Sequence, residues 1–204
     1  MAYTTIDDPS AFFQCTLYAG NNGTQTITHG GNSDLQADLI WGKARNDTAA
    51  HFRIDSVRGV SKRFKQNADA ESTVSTGITA IGSDSFAVGN DGDFNDTGIN
   101  YVTWNWKAGS FNNDAGFSIA TWTGNGTAGA TIKHGLNSVP SMMIIKNREA
   151  AEDWIVFHQS LGNGKFAYLS TTAAAGTDDG AWNDTSPTSS VFTIGDYGNV
   201  NTNN

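Results

Sequence analysis

The residues best suited to bind a metal ion are three oxygen-bearing side chains in one polar loop, Asp91, Asp93 and Asn95. They stand two positions apart, which is the spacing of the first ligands in a calcium-binding loop. The sixth position of such a loop requires glycine for a sharp turn, and the twelfth supplies a bidentate glutamate. Here those positions hold Asp96 and Val102. We therefore predict no cofactor, and we keep calcium at the first three residues as the alternative to an Asx-rich hairpin loop without metal.

Carbohydrate binding is the second candidate chemistry, because an aromatic ring stacks on the apolar face of a pyranose while nearby polar groups fix its hydroxyls. Trp182 lies in a polar, loop-like stretch and is followed by Asn183 and Asp184. This pattern predicts an exposed platform made by these three residues. The other five tryptophans fall in predicted strands, where packing in the core or between modules is their usual role: Trp41, Trp104, Trp106, Trp122 and Trp154.

Two hydrolytic arrangements do not fit the sequence. Glycosidases built on β-sandwiches need two carboxylates that share a cleft, and no predicted strand presents alternating carboxylates. A Ser-His-Asp arrangement of His51, Asp55 and Ser56 fails because, on a strand, Ser56 points away from the other two. We therefore predict a protein that is not an enzyme and has no catalytic residues. His29 and His134, each followed by glycine in a turn, are assigned a shared structural role.

Composition restricts the class of protein further. The 204-residue chain is poor in Glu, Lys and Leu and rich in Thr, Gly, Asn and aromatic residues, which favours strands and tight turns over helices. Its formal net charge of −8 argues against a nucleic-acid partner. Seven basic residues between positions 43 and 65 are either a patch for an acidic partner or the solvated face of two strands and a loop.

The sequence predicts neither a membrane partner nor a secretory signal. No apolar run reaches the roughly 20 residues that a membrane span needs. The first eight residues lack the basic and apolar regions of a signal peptide. Cys15 is the one cysteine, so no internal disulfide is expected. We therefore expect an all-β protein that is synthesised in a host cytoplasm without a signal peptide.

An internal repeat organises the chain. Ile27-Thr28-His29-Gly30 recurs as Ile132-Lys133-His134-Gly135, and further anchor points follow at offsets of 103 to 106 residues. This pattern favours the duplication of a unit of about 100 residues. Short alternating segments between Gly/Asn turns are typical of an antiparallel sandwich. In the first unit, strands are predicted near residues 14–19, 24–29, 38–45, 50–56, 77–82, 85–89 and 100–107, with a helical turn or a loop at 61–70.

The predicted organisation has four segments: an N-terminal docking segment at 1–14, a first β-sandwich repeat at 15–109, a linker at 110–116 and a second β-sandwich repeat at 117–204. In the strand at 100–107, alternation places Trp104 and Trp106 on one face and Tyr101 on the other. The second repeat lacks a counterpart of this last strand within the sequence. A sandwich without it exposes a sheet edge. We therefore expect either a longer chain or another chain that donates the strand.

Several short segments of the sequence occur together, in the same order, in one known family. They are Met1–Gln14, Asn32–Trp41, Asp55–Gly59, Tyr101–Gly109 and Thr123–Thr127. In these segments the chain resembles virion-associated proteins of marine tailed bacteriophages, especially cyanophages. It departs from the family pattern at Gly42, where Ile is common, and at Ala37, where Pro is common. The resemblance implies tail-fibre-like or appendage-like proteins made of tandem concanavalin-like or jelly-roll-like β-sandwich modules, and it brings no established site residues.

The resemblance also implies a function. We expect a non-enzymatic structural protein of the virion, a fibre or appendage component involved in host-surface attachment. Its expected partners are copies of itself and other virion proteins, with host-surface glycan as a further possibility. A capsid decoration or cement protein and a carbohydrate-binding module are the alternatives.

Overall fold

The structure is a computed structural model that describes residues 6–65, 69–109 and 115–203. It is predominantly β, and its sheets are antiparallel. The described residues divide into two compact units. The first holds residues 6–65, 71–108 and 115–117, and the second holds 69–70, 109 and 118–203. No helix within these ranges is long and apolar enough to cross a membrane.

The first unit contains two antiparallel sheets. After a short 3-10 helix at Pro9–Ala11, its elements in chain order are β1 (Phe13–Ala19), β2 (Gln25–Thr28), β3 (Leu39–Ala44), β4 (Phe52–Asp55), β5 (Lys62–Lys65), β6 (Ser72–Thr73), β7 (Ile78–Ile81), β8 (Ser85–Val88), the helix α1 (Gly92–Asn95) and β9 (Asn100–Trp106). One sheet has the order β1-β9-β3-β4-β5-β6, and the other has the order β2-β8-β7. The last strand of the unit, β9, therefore lies between β1 and β3.

One apolar core joins these two sheets. Alternate residues of β1 and β9 are buried, as the two-residue period of a strand requires. Tyr18, Ile40 and Tyr101 face inward from the six-stranded sheet and pack in one cluster with Ile27 and Phe86 from the three-stranded sheet. The unit is therefore a two-layer, sandwich-like structure.

The seven strands predicted for this unit are confirmed, and two further strands were missed. The prediction of a helical turn or a loop at 61–70 is wrong for Lys62–Lys65, which form β5 and pair with β4. Three of these four residues are basic, so their hydrophobic pattern is too weak to indicate a strand. The strand forms because β4 supplies a backbone partner and Phe64 is buried, with the Arg58 guanidinium 4.1 Å from its ring centroid. Residues 66–68 lie outside the described ranges.

The second unit repeats part of this arrangement. Its elements are β10 (Ala130–Lys133), β11 (Met142–Ile145), β12 (Ile155–His158), β13 (Lys165–Tyr168), β14 (Gly176–Thr177), α2 (Asp179–Trp182), β15 (Val191–Ile194) and α3 (Gly198–Asn201). One sheet has the order β11-β12-β13-β14, and the other pairs β10 with β15. Their shared core includes Ile155, Phe157, Phe166, Trp182 and Ile194.

Strand registers agree between the two units at the offsets of the sequence repeat. Ile27 lies opposite Phe86 in the β2–β8 pair, and Ile132 lies opposite Phe192 in the β10–β15 pair. The β3–β4 pair and the β11–β12 pair correspond in the same way. Because a slip of one residue would turn every side chain to the other face, this agreement supports the alignment of the two halves.

Part of the predicted N-terminal docking segment is built into the first unit. Asp8 accepts a hydrogen bond from the Ser10 amide at 2.9 Å and another from the Ser33 hydroxyl at 2.6 Å. The buried Gln14 side chain donates to the Ser33 carbonyl and accepts from the Gly31 amide. These contacts extend the first unit back to Asp8, ahead of the predicted boundary at residue 15. Residues 1–5 of that segment and 110–114 of the predicted linker lie outside the described residues.

A buried asparagine closes the first unit. Asn95, the last residue of α1, is fully buried. Its Nδ2 donates to the carbonyl oxygens of Gly23 and Gly89, both at 2.8 Å, and its Oδ1 accepts from the Asn21 amide at 3.1 Å. One side chain therefore fastens the helix, the end of β8 and the turn after β1 to one another.

The second unit uses an asparagine in the corresponding place. Asn201, the last residue of α3, donates to the carbonyl oxygens of Thr127 at 3.0 Å and Gly195 at 2.7 Å. Its Oδ1 accepts from the Asn125 amide at 2.9 Å. The same side-chain type at the same point of both units indicates that this closure belongs to the shared architecture.

We expect Asn95→Asp to lower the free energy of unfolding by about 2–4 kcal/mol, because a carboxylate of the same shape cannot donate to the two buried carbonyls. Asn100→Asp, at an exposed position, is the matched control. Urea denaturation at pH 7 followed by tryptophan fluorescence measures both. A loss below about 0.5 kcal/mol for Asn95→Asp would show that these bonds do not hold the unit closed.

Candidate functional site

The predicted calcium ligands are adjacent, but each is engaged in a separate contact. Asp91 caps α1 by accepting from the Asp93 amide at 3.0 Å. The Asp93 carboxylate lies 2.7 Å from Arg63 Nη1 and 3.4 Å from Lys65 Nζ. Asn95 is buried in the closure described above. Within the described ranges, no three His, Cys, Asp or Glu side chains are grouped so that they could hold a metal ion. This geometry favours the structural alternative for these residues.

The prediction that Trp182 is an exposed platform is wrong. Its side chain is 1% exposed in the core of the second unit, and its Nε1 donates to the Lys165 carbonyl at 3.0 Å. The polar residues around Trp182 suggested a solvated loop, but they are the capped first turn and the left-handed end of α2, which turns the indole inward. Asn183 and Asp184 are exposed, and Asp184 Oδ1 accepts from the Asn163 side chain at 3.2 Å.

Three other tryptophans lie on the outward side of the six-stranded sheet in the first unit. Trp41, Trp104 and Trp106 alternate with buried residues of β3 and β9 and are half-buried themselves. The ring centroid of Trp41 is 6.3 Å from that of Trp104 and 6.4 Å from that of Trp106. We call this surface the outer aromatic face. Its residues are Phe13, Cys15, Leu17, Trp41, His51, Arg53, Trp104 and Trp106.

The polar side chains of the outer aromatic face, Arg53 and His51, contact its tryptophan rings. The Arg53 guanidinium lies 4.0 Å from the Trp41 ring centroid, a cation–π arrangement, and its Nη1 donates to the Lys65 carbonyl at 3.3 Å. Burial lowers the pKa of Arg53 to about 10, so it is charged at neutral pH. His51 accepts from Trp41 Nε1 at 2.8 Å and stacks on Trp104. Burial, Arg53 and Lys43 lower the pKa of His51, which keeps its ring neutral at pH 7.

The outer aromatic face continues onto an exposed edge strand. β1 is the first strand of its sheet, and its outward side chains are Phe13, Cys15 and Leu17. Leu17 is 61% exposed and Phe13 is 38% exposed, while the Phe13 ring lies 4.9 Å from that of Trp106. A contiguous apolar patch beside an open sheet edge is typical of a surface that binds another macromolecule.

Beneath this face, the inward sides of β1 and β9 carry a buried polar cluster. Asn105 Nδ2 donates to the Gln14 carbonyl at 3.0 Å and the Thr103 hydroxyl at 3.1 Å. The Thr16 hydroxyl lies 2.8 Å from His29 Nδ1. Within the described residues, His29 Nε2 and Asn105 Oδ1 have no hydrogen-bond partner. Burial lowers the pKa of His29, against a smaller opposing effect of Asp84.

The two histidines predicted to share a structural role are both buried just after corresponding strands, β2 and β10. His134 differs in its partners, because its Nε2 lies 3.1 Å from the Thr188 carbonyl and its Nδ1 accepts from the Leu136 amide. The basic segment between residues 43 and 65 is partly internal, since Arg58 binds Asp55 and Arg63 binds Asp93. These ion pairs reduce the charge that it offers to an acidic partner.

Sequence reasoning missed the outer aromatic face, because tryptophans in predicted strands were assigned to packing. A usable signal was present in the alternation of β9, which places Trp104 and Trp106 on one face of the strand and Tyr101 on the other. The structure confirms that alternation. The residue between the two tryptophans, Asn105, marks the opposite side of the strand. Alternate residues of a strand face opposite sides of the sheet. Once one set of alternate residues is assigned to the core, the other set must lie on the outer side of the sheet.

A family model described as a domain of unknown function (DUF7483) matches residues 8–204. The match begins at Asp8, which is also where side-chain contacts tie the N-terminal segment to the first unit. No curated protein and no solved structure matches the chain.

Truncation of Trp182 should destabilise the second unit. We expect Trp182→Ala to reduce the free energy of unfolding by about 3–5 kcal/mol, because it leaves a cavity in the core. Trp104→Ala, at a half-buried ring of the outer aromatic face, is the matched control and should cost less than half as much. Urea denaturation followed by circular dichroism measures both variants. Equal losses would contradict the assignment of Trp182 to the core.

The stability of the protein should fall between pH 7 and pH 5. The pKa of His29 is lower in the folded than in the unfolded chain, so the unfolded chain binds more protons as the pH drops through about 6.5. We expect His29→Gln to lose less unfolding free energy than the wild type over this range. His158→Gln, at an exposed position, is the control for replacing an imidazole by an amide. Identical pH dependence in His29→Gln and wild type would contradict the burial of a neutral His29.

Proposed function

The chain belongs to the DUF7483 family, and we propose that it is a non-enzymatic structural protein of a bacteriophage virion, a fibre or appendage component that contributes to host-surface attachment. Its tandem units are proposed to derive from duplication of one concanavalin-like sandwich module. The resemblance of several of its sequence segments to virion proteins of marine phages supports this assignment. The location that we propose is therefore the virion.

The outer aromatic face is the observation that carries the proposal. A protein with a formal net charge of −8 and few charged residues presents an apolar, aromatic surface that ends on an open edge strand. Interfaces are enriched in tryptophan, arginine and phenylalanine at their centres. Trp104, Trp106 and Phe13 supply the aromatic residue types on one sheet, and Leu17 extends the surface. Arg53 is 3% exposed, so it supports the Trp41 ring from within the sheet.

The occupant that we propose for this face is a second copy of the chain. An isologous contact places the same patch on both partners, so an apolar surface is satisfied by its own copy without a complementary charge pattern. Structural proteins of particles assemble as multiple copies, and closed symmetry limits the size of each assembly. The same interface between copies would keep the exposed Leu17 and Phe13 side chains away from water.

We expect Leu17→Lys to raise the dissociation constant for self-association at least about tenfold, because it places a charge within an apolar contact. Val139→Lys is the matched control, since Val139 is also an exposed aliphatic residue but belongs to the second unit. Light scattering coupled to size-exclusion chromatography over a concentration series measures both. Equal association of the two variants, or a monomeric wild type at all concentrations, would contradict this interface.

Carbohydrate binding is the second candidate function, and the half-buried rings of the outer aromatic face favour it. Trp41, Trp104 and Trp106 lie side by side on this face, with the buried Arg53 guanidinium against the Trp41 ring and the His51 ring stacked on Trp104. A glycan array probed with wild type and Trp104→Ala tests this function, with circular dichroism to confirm that the variant folds. A glycan signal that Trp104→Ala abolishes would assign the face to host-surface glycan.

The remaining alternatives give different results in direct assays. A capsid decoration or cement protein would bind purified capsids in the absence of tail structures. An enzyme would release sugar from the glycans that it binds. Either outcome would replace the proposal of a fibre or appendage component.

A further inference from the structure

The two units differ at one sheet edge. In the first unit, β9 pairs with β1 on one side and with β3 on the other. The corresponding flanks in the second unit are the segment at 118–123 and β11. Among the described residues, no strand lies between them, and β11 is the edge of its sheet. Within the described residues, the second unit therefore has counterparts of β1 and β3 but no counterpart of β9 between them.

The first flank keeps the contacts of its counterpart. Trp122 packs edge-on against Phe192 with ring centroids 5.7 Å apart, and Tyr18 packs against Phe86 in the same way at 5.9 Å. In both units an asparagine amide just after this aromatic residue donates to the buried asparagine of the closing helix. The segment at 118–123 therefore lies where β1 lies in the first unit, without being a paired strand.

Inward positions of the first flank are more exposed to solvent than their counterparts in the first unit. Ser118, Ala120 and Trp122 are half-buried, whereas the matching residues of β1 are at most 9% exposed. On β11, the inward residues Met143 and Ile145 pack in the core, whereas the outward residues Met142 and Ile144 are 52% and 41% exposed.

A cleft of about 260 Å³ opens beside the first of these flanks. It is lined by Gly109, Ser118–Thr121 and Lys133–Gly135. In the first unit, the matching space between β1 and His29 holds the inward side chains of β9, among them Asn105. The cleft therefore has room for the hydroxyl and amide side chains that a central strand would place there.

We propose that this edge of the second unit binds one antiparallel strand with the side-chain pattern of β9. The pattern has an aromatic residue that stacks inward, as Tyr101 stacks on Tyr18 at 4.9 Å, followed by an inward hydroxyl and an inward amide, with aromatic residues facing outward. Trp122 receives the inward aromatic ring. The β9 of a second copy does not supply this strand, because in the described residues β9 is already paired on both sides.

The registers of the first unit set the register of the donated strand. Trp104 of β9 lies opposite Cys15 on β1 and opposite Trp41 on β3. At the offsets of the repeat, the same position of a donated strand lies opposite Ile119 and Ile144. A shift of one residue would turn the outward aromatic side chains of the strand into the core, so the alternation excludes the odd-numbered shifts from this register.

A peptide with the sequence of Thr97–Lys107 is the probe for the site, and the full chain carrying Cys15→Ser is the receptor. We expect saturable binding in fluorescence anisotropy. A peptide carrying both Thr103→Lys and Asn105→Lys should bind at least about tenfold more weakly, because the site would bury its ammonium groups without partners. No binding of the unmodified peptide to the folded chain, or equal binding of both peptides, would overturn the proposal.

Disulfide trapping tests the location and the register. The peptide carrying Trp104→Cys should cross-link to Ile144→Cys, since directly opposed residues of neighbouring strands bring their Cβ atoms within disulfide reach. The peptide carrying Thr103→Cys should not cross-link to the same receptor, because its thiol faces the other side. Leu17→Cys is the matched receptor control on the exposed edge strand of the first unit.

Each cross-linking result decides the proposal in one direction. Selective trapping at position 144 in the expected register supports it. Trapping at Leu17→Cys with similar yield, or at Ile144→Cys by both peptides, overturns it. Hydrogen exchange of the wild-type chain alone gives a further decision: amides of β11 that become protected as the chain self-associates would show that a second copy occupies the edge, which also overturns the proposal. Ile144 and Cys15 are exposed, so the substitutions leave the core unchanged.

Discussion

Backbone pairing on both sides of β9 is the constraint on which the first unit depends. This strand is the last of the unit in the sequence, yet it lies between β1, which starts the unit, and β3. Its pairing therefore has to overcome the closure entropy of a loop that contains most of the unit. In return, one strand supplies inward Tyr101, Thr103 and Asn105 to the interior and outward Trp104 and Trp106 to the outer aromatic face. Core and surface are thus two sides of the same seven residues.

The short helices show how the sheets are closed once β9 is in place. Helices of four residues have no stability of their own, since nucleation costs more than so few hydrogen bonds return. Both α1 and α3 instead end in a buried asparagine that bonds to backbone groups of neighbouring turns. Tyr101 adds to the closure of the first unit, because its hydroxyl donates to the Gly92 carbonyl and accepts from the Asp96 amide. The end of each unit is therefore fixed by side-chain to backbone hydrogen bonds more than by helical propensity.

Much of the fold could be predicted from the sequence, because alternation and Gly/Asn turns are local signals. They located seven strands of the first unit and the parity of β9. They did not locate β5, whose basic residues form a strand through a partner distant in sequence. They also misplaced Trp182, since the polar residues that cap a short helix look the same in sequence as those of a solvated loop. Among the candidate site residues, the sequence placed Asp91, Asp93 and Asn95 in one loop. Their contacts with Arg63 and with the backbone depend on tertiary structure and could not be predicted. The outer aromatic face went unrecognised because a sequence shows that two faces exist and does not show which one remains uncovered.

The chemistry of the β11 edge differs from that of edges that proteins keep unpaired. Exposed edges are commonly protected by charged residues, by proline or by a bulge. Met142–Ile145 has none of these residues, and it pairs regularly with β12 without a bulge. In the first unit the corresponding strand, β3, is also uncharged over Leu39–Gly42, and there a neighbour covers it on each side. A sequence that leaves an apolar edge without protection in one unit and covers the matching edge in the other is consistent with selection for pairing at both. The exposed Met142 and Ile144 are then part of an incomplete sheet, since an edge adapted to water would carry a charge at one of these positions.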